Sequence, residues 1–213
     1  MSVLPAPEIL LAYSLACFVL FITPGPDMSL FLSKTLSGGR RAGFAAMLGT
    51  MAGCCVHTLL AALGLSALIA ASATAFAAVK IVGAAYLCWL AIDALRNGSA
   101  LSVQAEQRGP ASLRRTFLIG LGINLTNPKI VLFFVTFLPQ FIDAGDPDAA
   151  AKLVFLGLYF VAVSTPFAAL LILGAERAVG AVQRRPRLMR AIDYLFASVF
   201  AAFAVRIAVT ETR

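Results

Sequence analysis

Six apolar segments decide what this chain can fold into. They run roughly over residues 9–33, 43–71, 74–95, 116–142, 151–174 and 191–210, and a spanning helix needs about 20 predominantly apolar residues. Apolar residues make up 61% of the chain and charged ones only 13%. A soluble domain is closer to half apolar and a quarter charged. So little polar surface cannot coat a soluble globule, and the pattern predicts an all-α integral membrane protein. The residues form one transmembrane domain, 1–213, with no separate soluble unit.

The net charge of +7 does not point to nucleic acid. The basic residues fall in short connections between apolar segments and build no basic groove. They read instead as topology signals. If the six segments alternate in direction, the loops after the first, third and fifth share a side. That side gathers Lys34, Arg40, Arg41, Arg96, Arg108, Arg114, Arg115, Arg177, Arg184, Arg185, Arg187 and Arg190. The opposite side keeps Lys80, Lys152, Arg206 and Arg213 among several acids. The positive-inside rule then places both termini outside. The basic stretch around Glu176–Arg190 would attract anionic lipid.

The N-terminal MSVLPAPE has no basic leader and carries Glu8, so the first apolar segment is expected to stay in the mature protein. Cys17, Cys54, Cys55 and Cys88 all lie in apolar segments without metal-ligand spacing. They read as small buried thiols, and no metal or cofactor is expected.

The first and fourth segments are interrupted by residues that helix interiors avoid. Thr23-Pro24-Gly25-Pro26-Asp27 breaks the first, and Asn124-Leu125-Thr126-Asn127-Pro128-Lys129 breaks the fourth. A shift of about 102 residues lays PDMSLFL, from Pro26, over PKIVLFF, from Pro128. Proline, leucine and phenylalanine coincide, and an aspartate meets a lysine. Each break falls in the first helix of a three-helix half, about 9–95 and about 116–210, joined by a polar linker at about 96–115. An odd number of helices per half implies an inverted repeat. Matched interruptions in two such halves mark a transporter's substrate site. One mismatch stands out, since Pro26 lies further into its segment than Pro128 does into its own.

Proline removes a backbone donor and frees carbonyl groups, which at membrane depth must be satisfied by protein or a water-filled cavity. Thr23, Pro24, Gly25, Pro26 and Asp27 with Asn124, Asn127, Pro128 and Lys129 are therefore the candidate translocation residues. A charge in the bilayer costs about 3 kcal/mol even on the lenient insertion scale, so Asp27 and Lys129 should pair or line an aqueous path. The expectation is a direct or water-bridged Asp27–Lys129 pair. The structural alternative has Lys129 snorkelling and Asp27 capping the helix after Pro26. Asp27 is the first candidate for proton coupling. His57, the one histidine, is the second, although a hydrogen-bonded packing role suits it better. Ala45, Gly49 and Gly53 form a ladder of small residues for close helix approach, within the chain in preference to across a homodimer.

TPGPDMSLFLSKTLSGGRRAGFAAMLGTMAG and NLTNPKIVLFFVTFLPQF resemble the LysE/RhtB family of amino-acid exporters. AALGLSALIAAS and VKIVGAAYLCWLAIDALR extend the likeness over nearly the whole chain. Gly38 stands where members often carry a longer polar residue, a departure confined to a loop. The resemblance implies a bacterial inner-membrane exporter of amino acids or related metabolites, driven by the proton gradient. Its motif positions are Pro24, Gly25, Pro26 and Asp27, and Asn127, Pro128 and Lys129. The rival readings are a passive channel on the same helices and a membrane-embedded enzyme. Against the enzyme, the chain has no HExxH, no catalytic pair of intramembrane aspartates and no metal partner for its histidine.

Overall fold

The computed structural model describes residues 5–97, 112–143, 146–175, 177 and 186–211. All regular structure among them is helical: α1 Pro7–Ile22, α2 Pro26–Ala71, α3 Ala73–Asn97, α4 Leu113–Thr126, α5 Pro128–Leu132, α6 Ala149–Leu173 and α7 Pro186–Glu211. A wide π-helical turn, Phe133–Phe137, and a 3-10 turn, Leu138–Phe141, prolong α5. Most of the expected linker, with Arg108, and the stretch holding Glu176, Arg184 and Arg185 lie outside the described residues.

Each of the six apolar segments forms helix, and both breaks fall where proline placed them. Two helices are long and apolar enough to cross a membrane, Pro26–Leu68 and Ala149–Leu173. A third crossing follows if α4 and the Pro128–Phe141 segment, bent by 54° from each other, count as one span. The helical arms leading into the breaks, α1 and α4, are 16 and 14 residues long. The depth mismatch read from the sequence persists at the prolines, because the first break takes up three residues between its helices and the second only Asn127, but the arms themselves differ by just two residues.

Helix α2 is two arms in one. Gly39 has φ 78° and ψ 174°, a left-handed region that strains any residue with a Cβ. The chain folds back there. A Cβ on Gly43 would collide with the Thr35 hydroxyl, and Leu30 and Phe31 pack with Ala46, Met47 and Met51 in one cluster. What reads in sequence as a loop of 34–42 is helix up to a single-residue turn. At the far end α2 stops at Ala71, and the Ser72 hydroxyl accepts the Ala75 N–H at 3.1 Å to start α3.

The long arm of α2 is the spine of the molecule, with α4 and α6 packed along it. Its small residues allow this: a Cβ on Gly49 would lie 2.0 Å from the Phe117 carbonyl oxygen, and one on Gly120 would lie 2.3 Å from that of Ala46. The expected ladder is thus an intramolecular contact between α2 and α4. Helix α3 packs on α7, and α1 packs on α6 and α7. Helix α6 continues through Pro166, where Thr165 donates to the Val161 carbonyl at 2.7 Å and the buried Ser164 hydroxyl makes no hydrogen bond. The core is aromatic near the second break. Tyr13, Phe133, Phe134, Phe137 and Phe160 form one buried cluster, and Tyr13 donates its hydroxyl to the Leu156 carbonyl at 3.0 Å.

Candidate functional site

The prolines set the site's backbone chemistry through the residues four positions before them. Pro24 cannot bond the Leu20 carbonyl, Pro26 cannot bond that of Ile22, and Pro128 cannot bond that of Asn124. Helix α1 ends at Ile22, and Gly25 is extended and provides no side-chain cap to α2. At the second break only Asn127 departs from helix, and its Oδ1 accepts the Lys129 N–H at 3.1 Å.

The freed carbonyl of Leu20, and that of Thr23 within the first break, are met from the opposite break. Lys129 Nζ, carried at the start of α5, donates to Leu20 at 3.1 Å and to Thr23 at 2.8 Å. Gly25 makes room for it, since a Cβ there would stand 3.0 Å from that nitrogen. In return Asp27, in the first turn of α2, accepts the Asn124 side-chain amide on Oδ2 at 3.1 Å. Each broken segment thus supplies the polar partner of the other.

Asn124 is the centre of the second half of this exchange. It is fully buried. Its side chain donates to Asp27 and faces the Cys54 thiol, whose Sγ lies 3.7 Å from its Oδ1. Its freed carbonyl accepts the Asn127 N–H at 3.1 Å. The same carbonyl lies 3.4 Å from His57 Nε2, which donates to it in the tautomer that carries the proton there. Gly53 seats the amide, because a Cβ would approach Asn124 Oδ1 to 2.4 Å. His57 is buried and stacks on Phe134 with ring centroids 5.6 Å apart. That is the hydrogen-bonded packing role the sequence favours, one residue away from Asp27 through Asn124.

The expected direct Asp27–Lys129 ion pair is not among the salt bridges of the described residues. The structural alternative fails as well: Lys129 turns inward instead of snorkelling, and Asp27 reaches across to α4 instead of capping its own helix. Both charges do line one cavity of about 30 Å³, together with Thr23, Gly25, Asn127 and Phe160. Such a space holds about one water molecule. Two of its side chains have buried atoms without a hydrogen bond, the acceptor Asp27 Oδ1 and the donor Asn127 Nδ2.

Most of the nominated residues therefore converge here. Thr23, Gly25, Asp27, Asn127 and Lys129 line the cavity, Asn124 braces it, and Pro24, Pro26 and Pro128 shape the backbone. The sequence reading passed over the Leu20 carbonyl, Cys54 and the aromatic wall of Phe31 and Phe160. Counting four residues back from Pro24 would have found Leu20; nothing in the sequence singled out the others. No group of three or more metal-ligating side chains occurs among the described residues.

A family model described as LysE type translocator matches residues 18–211. An uncharacterized membrane protein of Vibrio cholerae is 35% identical over 196 residues, covering 89% of this chain and 91% of its own length. A homoserine/homoserine lactone efflux protein of Salmonella typhimurium is 32% identical, with 89% and 90% covered. A leucine efflux protein of Klebsiella pneumoniae is 30% identical, with 95% of each chain covered. No solved structure gives a significant match.

Proposed function

Since the chain belongs to the LysE type translocator family, we propose that it exports amino acids or closely related small metabolites across a bacterial inner membrane, coupled to protons. The observation that carries this reading is the cavity between the two breaks, where a buried carboxylate oxygen and a buried amide nitrogen both lack partners. An acceptor and a donor side by side complement a zwitterion, with the ammonium toward Asp27 and the carboxylate toward Asn127 and Lys129. Relatives named for leucine and for homoserine efflux support the substrate class.

The present cavity is too small for an amino acid, so transport requires the breaks to separate. Alternating access by rocking of two inverted three-helix halves, about 9–95 and about 116–210, provides that motion. The reciprocal bonding of the breaks and the nearly equal arms of α1 and α4 support such a repeat. Six crossings are proposed from the six apolar segments, and the arginine distribution supports both termini outside. Lys129 holds the carbonyls of Leu20 and Thr23 while the site is closed, and a substrate ammonium can take its place when it opens. Asp27 is the proton-coupling group in this scheme, with His57 behind it through Asn124.

Purified protein in proteoliposomes should drive uphill efflux of at least one member of an amino-acid panel, and a protonophore should abolish it. Flux that only runs downhill and ignores the proton gradient would instead identify a passive facilitator.

A further inference from the structure

A second cavity lies at the other end of the short α2 arm that carries Asp27 in its first turn. It measures about 480 Å³ and is lined by Thr35, Leu36, Arg40, Leu173, Gly174 and Arg177, among others. That volume falls within the range of small-molecule sites, roughly 300–1,000 Å³, whereas the cavity at the breaks is close to a single water. Thr35 is eight residues from Asp27, about 12 Å along a helix. Phe31 lines the inner cavity and is almost fully buried, and its carbonyl accepts the Thr35 hydroxyl at 2.6 Å. One helical arm therefore carries both cavities, with Phe31 between them.

We infer that this outer cavity is a loading vestibule that captures the carboxylate of the amino acid before it reaches the breaks, an inference that rests on the export reading above. Its chemistry is that of a zwitterion. Arg40 and Arg177 supply guanidinium groups, whose planar fork matches a carboxylate. The α6 C-terminus supplies carbonyl oxygens and the negative end of the helix dipole for an ammonium. Arg40 follows the left-handed Gly39 directly and donates Nη2 to the Leu173 carbonyl at 3.4 Å, so the tight turn is what brings its guanidinium over to α6. The vestibule opens on the arginine-rich side, which the positive-inside rule makes cytoplasmic, where an exporter collects its cargo.

A lipid phosphate has the same oxyanion chemistry, and the test separates the two. Binding of radiolabelled leucine is measured on wild type, Arg40→Gln, Arg177→Gln and, as a control outside the cavity, Arg190→Gln, with leucine or leucinamide as competitor. The protein is held in nanodiscs of phosphatidylcholine, with or without phosphatidylglycerol. The vestibule predicts about ten-fold weaker leucine competition in each cavity variant, about the worth of one charge-assisted bond. Leucinamide competition and the control variant stay unchanged, and Arg177→Lys recovers part of the loss. The same Arg177→Gln protein should show a raised KM for leucine in everted vesicles with its maximal flux retained. Equal losses for leucine and leucinamide, or no loss, would overturn the carboxylate assignment. Losses seen only with phosphatidylglycerol present would give the site to a lipid phosphate and also overturn it. Wild type that binds leucine with this pattern but moves no member of the amino-acid panel would refute the export reading and leave the carboxylate site standing.

Discussion

The two breaks solve the same problem in different ways. At the first, two prolines free the Leu20 and Ile22 carbonyls, and the intervening Gly25 has no side chain with which to cap α2. It depends on Lys129 from elsewhere. The second break has one proline and caps itself through Asn127. It lends Lys129 outward and receives Asp27 through Asn124. The first is an open acceptor surface and the second a set of side-chain amides. A substrate carrying one cation and one anion needs both kinds, which is why the difference between nearly matching segments matters more than their likeness.

Perturbing either side should separate these roles. The largest effect is expected from Asp27→Asn, which keeps a hydrogen-bonding group of the same shape but removes the titrating one. Uphill export in proteoliposomes should fall by at least about 100-fold, as for loss of a proton-transfer group, while membrane insertion is unaffected; full uphill export would remove Asp27 from the coupling. Next comes Lys129→Met, which leaves the first break's carbonyls without their donor. A charge-assisted bond is worth about 1.5–3 kcal/mol, so denaturant unfolding in detergent should register a loss of that order, whereas Lys129→Arg should retain part of it. If the methionine variant is as stable as wild type, Lys129 is not what satisfies the break.

Gly53→Ala should act on the second break alone. The added methyl meets Asn124, and overpacking of this kind costs about 1–3 kcal/mol, with a several-fold loss of Asp27-dependent flux. Gly64→Ala, where a Cβ meets nothing within 4 Å, should instead stabilise by up to about 1 kcal/mol. Equal behaviour of the two variants in thermal melts would contradict the seat proposed for Asn124. The smallest effect belongs to Asn127→Ala, which removes the cap of α5 at a cost of about 1 kcal/mol. A loss as large as that of Lys129→Met would mean the second break is no better capped than the first.

Much of this was legible in the sequence because proline and apolar length are local signals. Pro24, Pro26 and Pro128 fixed where the helices break, and the run lengths fixed where they lie. The ladder of Ala45, Gly49 and Gly53 foretold close packing, and its partner proved to be α4. Partner choice was harder. Equivalent positions in a repeat suggested that Asp27 would meet Lys129 directly or through water; the two line one cavity, but each takes its direct hydrogen bonds from neutral groups of the opposite segment. Which of several nearby groups takes a charge depends on ångström-scale approach, set here by Gly25 and Gly53, and not on charge pattern. The reversal between the first two apolar segments was legible as a loop, but its reduction to one left-handed residue, Gly39, was not, because such a residue leaves helix on both sides of it.

The exchange between the breaks can be tested directly by trading its two ends. Asn124→Asp sets two carboxylates face to face and should stop transport, and Asp27→Asn should lose its proton coupling. The double variant Asp27→Asn, Asn124→Asp restores one carboxylate and one amide across the same gap. Uphill export in proteoliposomes should then recover to within about ten-fold of wild type, the non-additivity expected of directly bonded partners. A double variant no better than the poorer single one would show that the two breaks do not work through this contact.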